Sequence, residues 1–213
     1  MENIAKKTAG YLLQIKAIKL QPSNPFTWAS GWKSPIYCDN RKTLSFPEVR
    51  SYIRDSFVST VKMYYPEAEL IAGVATGAIA HGVLAAEKLE MPFIYVRSEA
   101  KEHGLGNQIE GYYTAGQKVV VIEDLISTGG SSLNAVKALR DAGCVVLGMA
   151  AIFTYEFRKA FDGFAAANCE LHTLSNYSTL VEAAAESGYI TAQDVETLRV
   201  WRTDPANWGI NRS

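Results

Sequence analysis

Cysteine, histidine and unbalanced charge are all scarce in this chain, and each scarcity closes off a class of function. The three cysteines, Cys38, Cys144 and Cys169, are odd in number, far apart and form no CxxC. That argues against a disulfide framework or a zinc knuckle and for reduced, packed thiols. Twenty-one basic residues against 22 acidic leave a net charge of -1, so no global positive field draws nucleic acid or an acidic membrane surface. Any anionic ligand has to be held by local groups. No stretch approaches the ~20 apolar residues of a membrane span, and residues 1–10 are polar, with Lys6 and Lys7, rather than signal-like. A cytoplasmic protein without membrane or nucleic-acid partners is expected. Repeats, low-complexity tracts and linker-like shifts in composition are also lacking, which predicts one domain over residues 1–213.

Hydrophobic residues, by contrast, make up 48% of the 213, ample for a buried core. Apolar spacing predicts a helix over 4–18, then an aromatic-rich loop with Pro, Asn and Gly over 20–32 that caps a larger body. Residues 47–64 read as a helix with Pro47 in its first turn, 69–74 as a buried strand, 78–89 as a helix and 93–96 as a strand. Between 98 and 116 there is no apolar period but many charges and several glycines, the signature of a long, mobile functional loop. The β-branched run 118–122 suits a central parallel strand; a helix over 131–142 ends at Gly143, and 144–153 is again a strand. After residue 157 come a helix, a strand over 171–174, and two helices opened by the capping-box pairs Thr179…Glu182 and Thr191…Asp194. Strands and helices alternating at this pitch predict a parallel sheet with helices on both faces.

The stretch 119–132, VVVIEDLISTGGSS, carries the chemistry. Ligands of a parallel sheet sit beyond the carboxyl ends of its strands, so a strand ending at Ile122 or Glu123 delivers the next residues to the site. The turn Ser127–Ser131 precedes a helix whose free N–H groups favour a phosphate, with Ser127, Thr128 and Ser131 hydroxyls as further donors and Gly129 and Gly130 allowing close approach. Two acids cannot face that phosphate, but they accept hydrogen bonds from vicinal sugar hydroxyls or hold Mg²⁺ through water. A ribose 5-phosphate satisfies both halves. A helix start that merely carries caps explains Ser127 or Thr128 but not Glu123-Asp124.

Four hydrophobics, Glu-Asp, two hydrophobics and Ser-Thr-Gly-Gly-Ser resemble the phosphoribosyl-pyrophosphate (PRPP) motif of the type I phosphoribosyltransferases. Two further segments narrow the resemblance to orotate phosphoribosyltransferase: Arg97 to Gly104, similar to that family's R-K-x-x-K-x-H-G catalytic loop, and Lys19, Phe26-Thr27 and Ser30 to Tyr37, similar to its K…F…SGxxSPxY segment. The resemblance implies an α/β fold with a central, mainly parallel sheet flanked by helices. A small N-terminal hood (about 1–40) would cover a PRPP-binding core (about 41–175), followed by C-terminal helices (about 176–213). It also implies transfer of phosphoribosyl from PRPP to orotate, in a homodimer with shared active sites. Lys101, His103 and Asp124 are then the catalytic candidates, the first two reaching the neighbouring subunit's site. PRPP would be held by Lys19, Thr76, Gly77, Arg97, Lys101, His103, Glu123, Asp124, Leu125, Ile126, Ser127, Thr128, Gly129, Gly130 and Ser131. Orotate would meet Ser127, Lys19, Tyr37, Cys38 and Tyr155, with Phe26, Trp28 and Trp32 as further candidate walls. Mg²⁺ would ride mainly on PRPP, touching the protein through Asp124 and water rather than a dedicated cage.

Four positions depart from the family pattern. Ser98 replaces a second basic loop residue, and Thr76-Gly77 stands where bulkier or basic residues are common, so the pyrophosphate site is expected to be less cationic. The base-site arginine falls on Tyr155, leaving Arg158 as the nearby cation. A transferase for another base and a PRPP-sensing regulator without turnover are the alternatives; the regulator would need a basic DNA-binding segment that this sequence does not contain. A P-loop is excluded because Gly111…Gly116 runs into Gln117-Lys118 rather than Gly-Lys-Ser/Thr. His81 and His172 are expected to be structural.

Overall fold

A computed structural model describes residues 2–28, 30–97 and 108–209. Helix α1 (Glu2–Gln14) leads into strand β1 (Ile18–Leu20), the short pair β2 (Phe26–Thr27) and β3 (Lys33–Ser34), β4 (Ile36–Cys38) and a 3₁₀ turn (Asn40–Ser45). The core follows as α2 (Pro47–Tyr64), β5 (Leu70–Val74), α3 (Ile79–Leu89), β6 (Phe93–Val96), β7 (Ile109–Glu110), β8 (Lys118–Ile126), α4 (Gly130–Asp141), β9 (Val145–Thr154), α5 (Arg158–Ala166) and β10 (Leu171–Asn176). Helices α6 (Tyr177–Glu186) and α7 (Ala192–Thr203) complete it. Among the described residues no helix is long and apolar enough to cross a membrane.

Six strands form one sheet in the order β10-β9-β8-β5-β6-β7, parallel except for β7 at its edge. The β-branched run of β8 shows why it lies at the centre. Val120 and Ile122 pack into one hydrophobic cluster with Ile53, Ala85 and Leu180, while Val119 and Val121 pack into another with Val136, Leu139 and Phe164. A strand buried on both faces needs apolar residues without alternation.

Four expectations are corrected. The first helix stops at Gln14: Lys16 takes a left-handed φ of 55°, and Ile18, expected inside the helix, pairs with Cys38 across the β1–β4 ribbon. The central strand runs on to Ile126, so Glu123 and Asp124 lie within it rather than beyond it. Two residues of the expected loop, Ile109 and Glu110, form the antiparallel edge strand. Thr179 is no cap; Asn176 is, its side chain accepting the Thr179 N–H, whereas Thr191 and Asp194 do form both halves of a capping box.

Candidate active site

The site opens where β8 outruns one neighbour. Its pairing with β5 ends at Gly73↔Ile122, but pairing with β9 continues through Glu123↔Ala151 to Ile126↔Thr154. Residues 123–126 therefore stay extended without a β5 partner, and two adjoining cavities lie there, of ≈ 340 and ≈ 320 Å³. Cys38 and Leu125 line both.

The larger cavity is polar and is lined by Asp39, Arg41, Thr76, Gly77, Glu123, Asp124 and Ser131 among others. The pleat splits the two acids, since successive side chains point to opposite faces of a strand. Glu123 turns inward: only 4% exposed, it accepts the Ser132 hydroxyl on Oε2 (2.9 Å) and the Asp124 N–H on Oε1 (2.9 Å). Burial, reinforced by the neighbouring Asp124 charge, pushes its carboxyl well above the usual range. Asp124 faces the cavity, and its main-chain oxygen accepts the Asn40 side-chain amide at 2.6 Å. Gly77 packs against that carboxylate so closely that a Cβ there would overlap its carbon and both oxygens, lying 2.6 Å from Oδ1. The turn before α4 needs its glycine as well, because Gly129 caps the helix at φ 82°.

The smaller cavity is lined by Thr27, Trp28, Tyr37, Cys38, Leu125, Ser127 and Tyr155. Its ring wall is tied into the core: Trp28 donates to Ile36 O (3.0 Å) and lies 5.2 Å from the Tyr155 ring. Burial raises the Tyr155 phenol well above its ordinary value, so it stays a neutral donor.

The sequence-predicted residues divide accordingly. Thr76, Gly77, Glu123, Asp124 and Ser131 meet in the polar cavity, Tyr37, Ser127 and Tyr155 in the aromatic one, and Cys38 and Leu125 between them. Ile126 is fully buried; Thr128 and Gly129 lie in the turn before α4 and Gly130 opens that helix, and none of the three lines either cavity. Lys19 sits opposite Tyr37 in the ribbon but lines neither cavity, nor do Phe26 and Trp32. Arg97 anchors the base of the expected loop, its N–H donating to Gln108 O and its carbonyl accepting Gln108 Nε2, both at 2.9 Å. Lys101, His103 and Ser98 lie outside the described residues. Arg158 does not replace a base-site cation: its side chain is 89% exposed and pairs with Asp162 one turn along α5.

Sequence reading passed over Asp39, Asn40 and Arg41. Arg41 lines the polar cavity and donates through Nε to Asp39 Oδ1 (2.7 Å), so this cavity does hold a cation. The available signal was position, directly after Tyr37-Cys38 where strand β4 ends.

His81 belongs to the support. It is 1% exposed, and its Nε2 lies 3.3 Å from the Thr43 hydroxyl, whose hydrogen is committed to Asn40 O (2.6 Å), so the ring is the donor. Burial lowers its pKa to about 4 against the opposing pull of Asp124. The unfolded state therefore takes up a proton between about pH 6.5 and 4 that the folded state refuses, and stability falls as pH drops through that window. From pH 7 to 4.5 the expected loss from His81 is about 2.5 kcal/mol. Urea unfolding of wild type and His81→Gln at both pH values checks it. Glu123, whose raised carboxyl acts in the opposite sense, is common to both proteins, so equal pH dependence in the two would dismiss the His81 contribution.

Comparison with known proteins gives a consistent result. The phosphoribosyl transferase domain model matches residues 51–173, more than half of the chain. An orotate phosphoribosyltransferase of Porphyromonas gingivalis is 55% identical over 99% of this chain and 100% of its own, and one of Bacillus caldolyticus is 56% identical over 94% and 97%. Among solved structures, the orotate phosphoribosyltransferase of Aeropyrum pernix superposes with a TM-score of 0.75 at 27% identity, covering 86% of this chain and 99% of that one.

Proposed function

The chain belongs to the phosphoribosyltransferases and among them to the orotate phosphoribosyltransferases, and on that premise we propose how its two cavities divide the reaction. It is a pentosyltransferase that moves 5-phosphoribosyl from PRPP to orotate, giving orotidine 5′-monophosphate and pyrophosphate in pyrimidine biosynthesis. Orotate N1 bonds to ribosyl C1 as the bond to pyrophosphate breaks. The observation that carries our reading is the adjacency of a polar, acid-bearing cavity and a ring-walled one, joined at Cys38 and Leu125. A sugar phosphate suits the first and a planar base the second, which brings N1 and C1 together at the junction.

In this reading Asp124 accepts ribose hydroxyls and faces the positive charge that develops at C1, while Glu123 fixes the turn through Ser132. The Ser127–Ser131 turn takes the 5-phosphate at the start of α4, and Arg41 joins Arg97, Lys101 and His103 as cations for the departing pyrophosphate. Asp39 and Asp124 suit a Mg²⁺ that arrives on PRPP, because that ion keeps several waters and needs only one or two carboxylates. When bound it would neutralise charge on the leaving group. Lys101 and His103 would act in the partner's site of a homodimer, and the enzyme would work in the cytoplasm.

The test is a base panel. Purified protein with Mg²⁺ and PRPP is expected to consume orotate, followed by loss of its absorbance, and to leave uracil, adenine and hypoxanthine essentially unconverted. Conversion of another base with orotate untouched would overturn the assignment.

A further inference from the structure

Orotate carries a carboxylate, yet among the described residues no cation lines the cavity read here as its pocket. Its lining offers rings, the hydroxyls of Thr27, Tyr37, Ser127 and Tyr155 and the Cys38 thiol. Desolvating an anion against such a wall is costly without an opposite charge nearby. Four cations come under consideration. Arg158 is turned to solvent and paired with Asp162; Arg41 lies on the neighbouring cavity and is paired with Asp39; Lys19 faces Tyr37 across the β1–β4 ribbon, but among the described residues its ammonium donates to no lining side chain.

Lys33 differs from all three. It sits directly opposite Thr27 in the β2–β3 pair, where facing residues share a side of the ribbon, and its Nζ donates to Thr27 Oγ1 at 2.8 Å. Thr27 is itself part of the cavity wall. Among the described residues Lys33 forms no ion pair, so none of them neutralises its charge. An ammonium has three donors, of which Thr27 takes one. The stem is backed by the chain at Gly209, where a Cβ would come within 3.3 Å of Lys33 Cβ.

We propose that Lys33, held by Thr27 at the rim of the aromatic cavity, supplies the positive charge that recognises the orotate carboxylate. This rests on the assignment of that cavity to orotate. The cation comes from the hood, so base selection is made there while the PRPP machinery lies on the sheet. Being solvated when the site is empty, Lys33 costs the free enzyme nothing and gains its partner only when a carboxylate arrives.

The experiment compares Lys33→Gln and Lys33→Arg with wild type. Steady-state KM values are measured for orotate and PRPP, together with inhibition constants for orotidine and uridine 5′-monophosphates, which differ only by the carboxylate. Lys33→Gln is expected to raise KM for orotate and the orotidylate inhibition constant about tenfold, as befits loss of one charge-assisted hydrogen bond. Uridylate binding, KM for PRPP and kcat should stay within about twofold. Lys33→Arg should restore most of the discrimination. If Lys33→Gln leaves the ratio of the two inhibition constants unchanged, or raises KM for PRPP instead, the proposal fails while the orotate assignment stands. Failure of the wild type to consume orotate would overturn that assignment and this proposal with it.

Discussion

Replacing Asp124 with Asn is expected to lower kcat by about 10²–10³-fold with little change in melting temperature, the scale of removing one preorganised electrostatic partner from a reacting centre. The fold should tolerate it. Asp124 is anchored by its main chain, through Asn40 and between Glu123 and Leu125, which both pair with β9, while its side chain faces the cavity. Asn keeps the shape but loses the charge, and one of its two oxygens becomes an N–H₂ that cannot accept from a sugar hydroxyl. Gly77→Ala approaches the same group from outside, because its methyl would occupy the space of the Asp124 carboxylate. It should cost a comparable factor, and the double variant should be little worse than either single one, since both remove the same interaction. Steady-state kcat, KM for PRPP and a thermal melt measure this. Asp124→Asn retaining more than about a tenth of wild-type kcat would remove its charge from the chemistry.

How much of this was legible in the sequence depended on how local each signal was. The central strand could be read because a β-branched run buried on both faces is hydrophobic without interruption, and the acids and turn following it form one continuous stretch. That the strand continues through Glu123 and Asp124 was hidden, because its ladder to β9 compensates for polar residues that would otherwise read as loop. The four N-terminal strands are two or three residues long, too short to show a period, so Ile18 was read into a helix. Arg41 reaches the polar cavity, and Lys33 the Thr27 hydroxyl on the wall of the aromatic one, only through tertiary packing of the N-terminal segment. Arg158 is the converse: near Tyr155 in sequence, it begins a new helix and its side chain pairs along that helix instead.

Trp201→Ala should be among the most destabilising single changes in the chain, and it should weaken the base site more than the PRPP site. Trp201 is fully buried in α7, and four rings surround it: Phe157 at 5.6 Å, Tyr177 at 5.6 Å, Trp28 at 5.7 Å and Tyr155 at 6.0 Å. Truncating a buried indole costs about 3–5 kcal/mol, which lowers the melting temperature of a chain this size by roughly 10 °C. Trp28 and Tyr155 line the aromatic cavity, whereas none of the four rings touches the polar one. Loosening them should raise KM for orotate several-fold and leave KM for PRPP nearly unchanged. Among the described residues the indole Nε1 has no hydrogen-bond partner, so Trp201→Phe sacrifices volume but also removes a buried N–H that none of them satisfies. Its cost should be no more than about half that of alanine. Thermal melts together with KM for both substrates decide the matter: parallel rises in the two KM values would mean that α7 supports the fold as a whole and not the base pocket in particular.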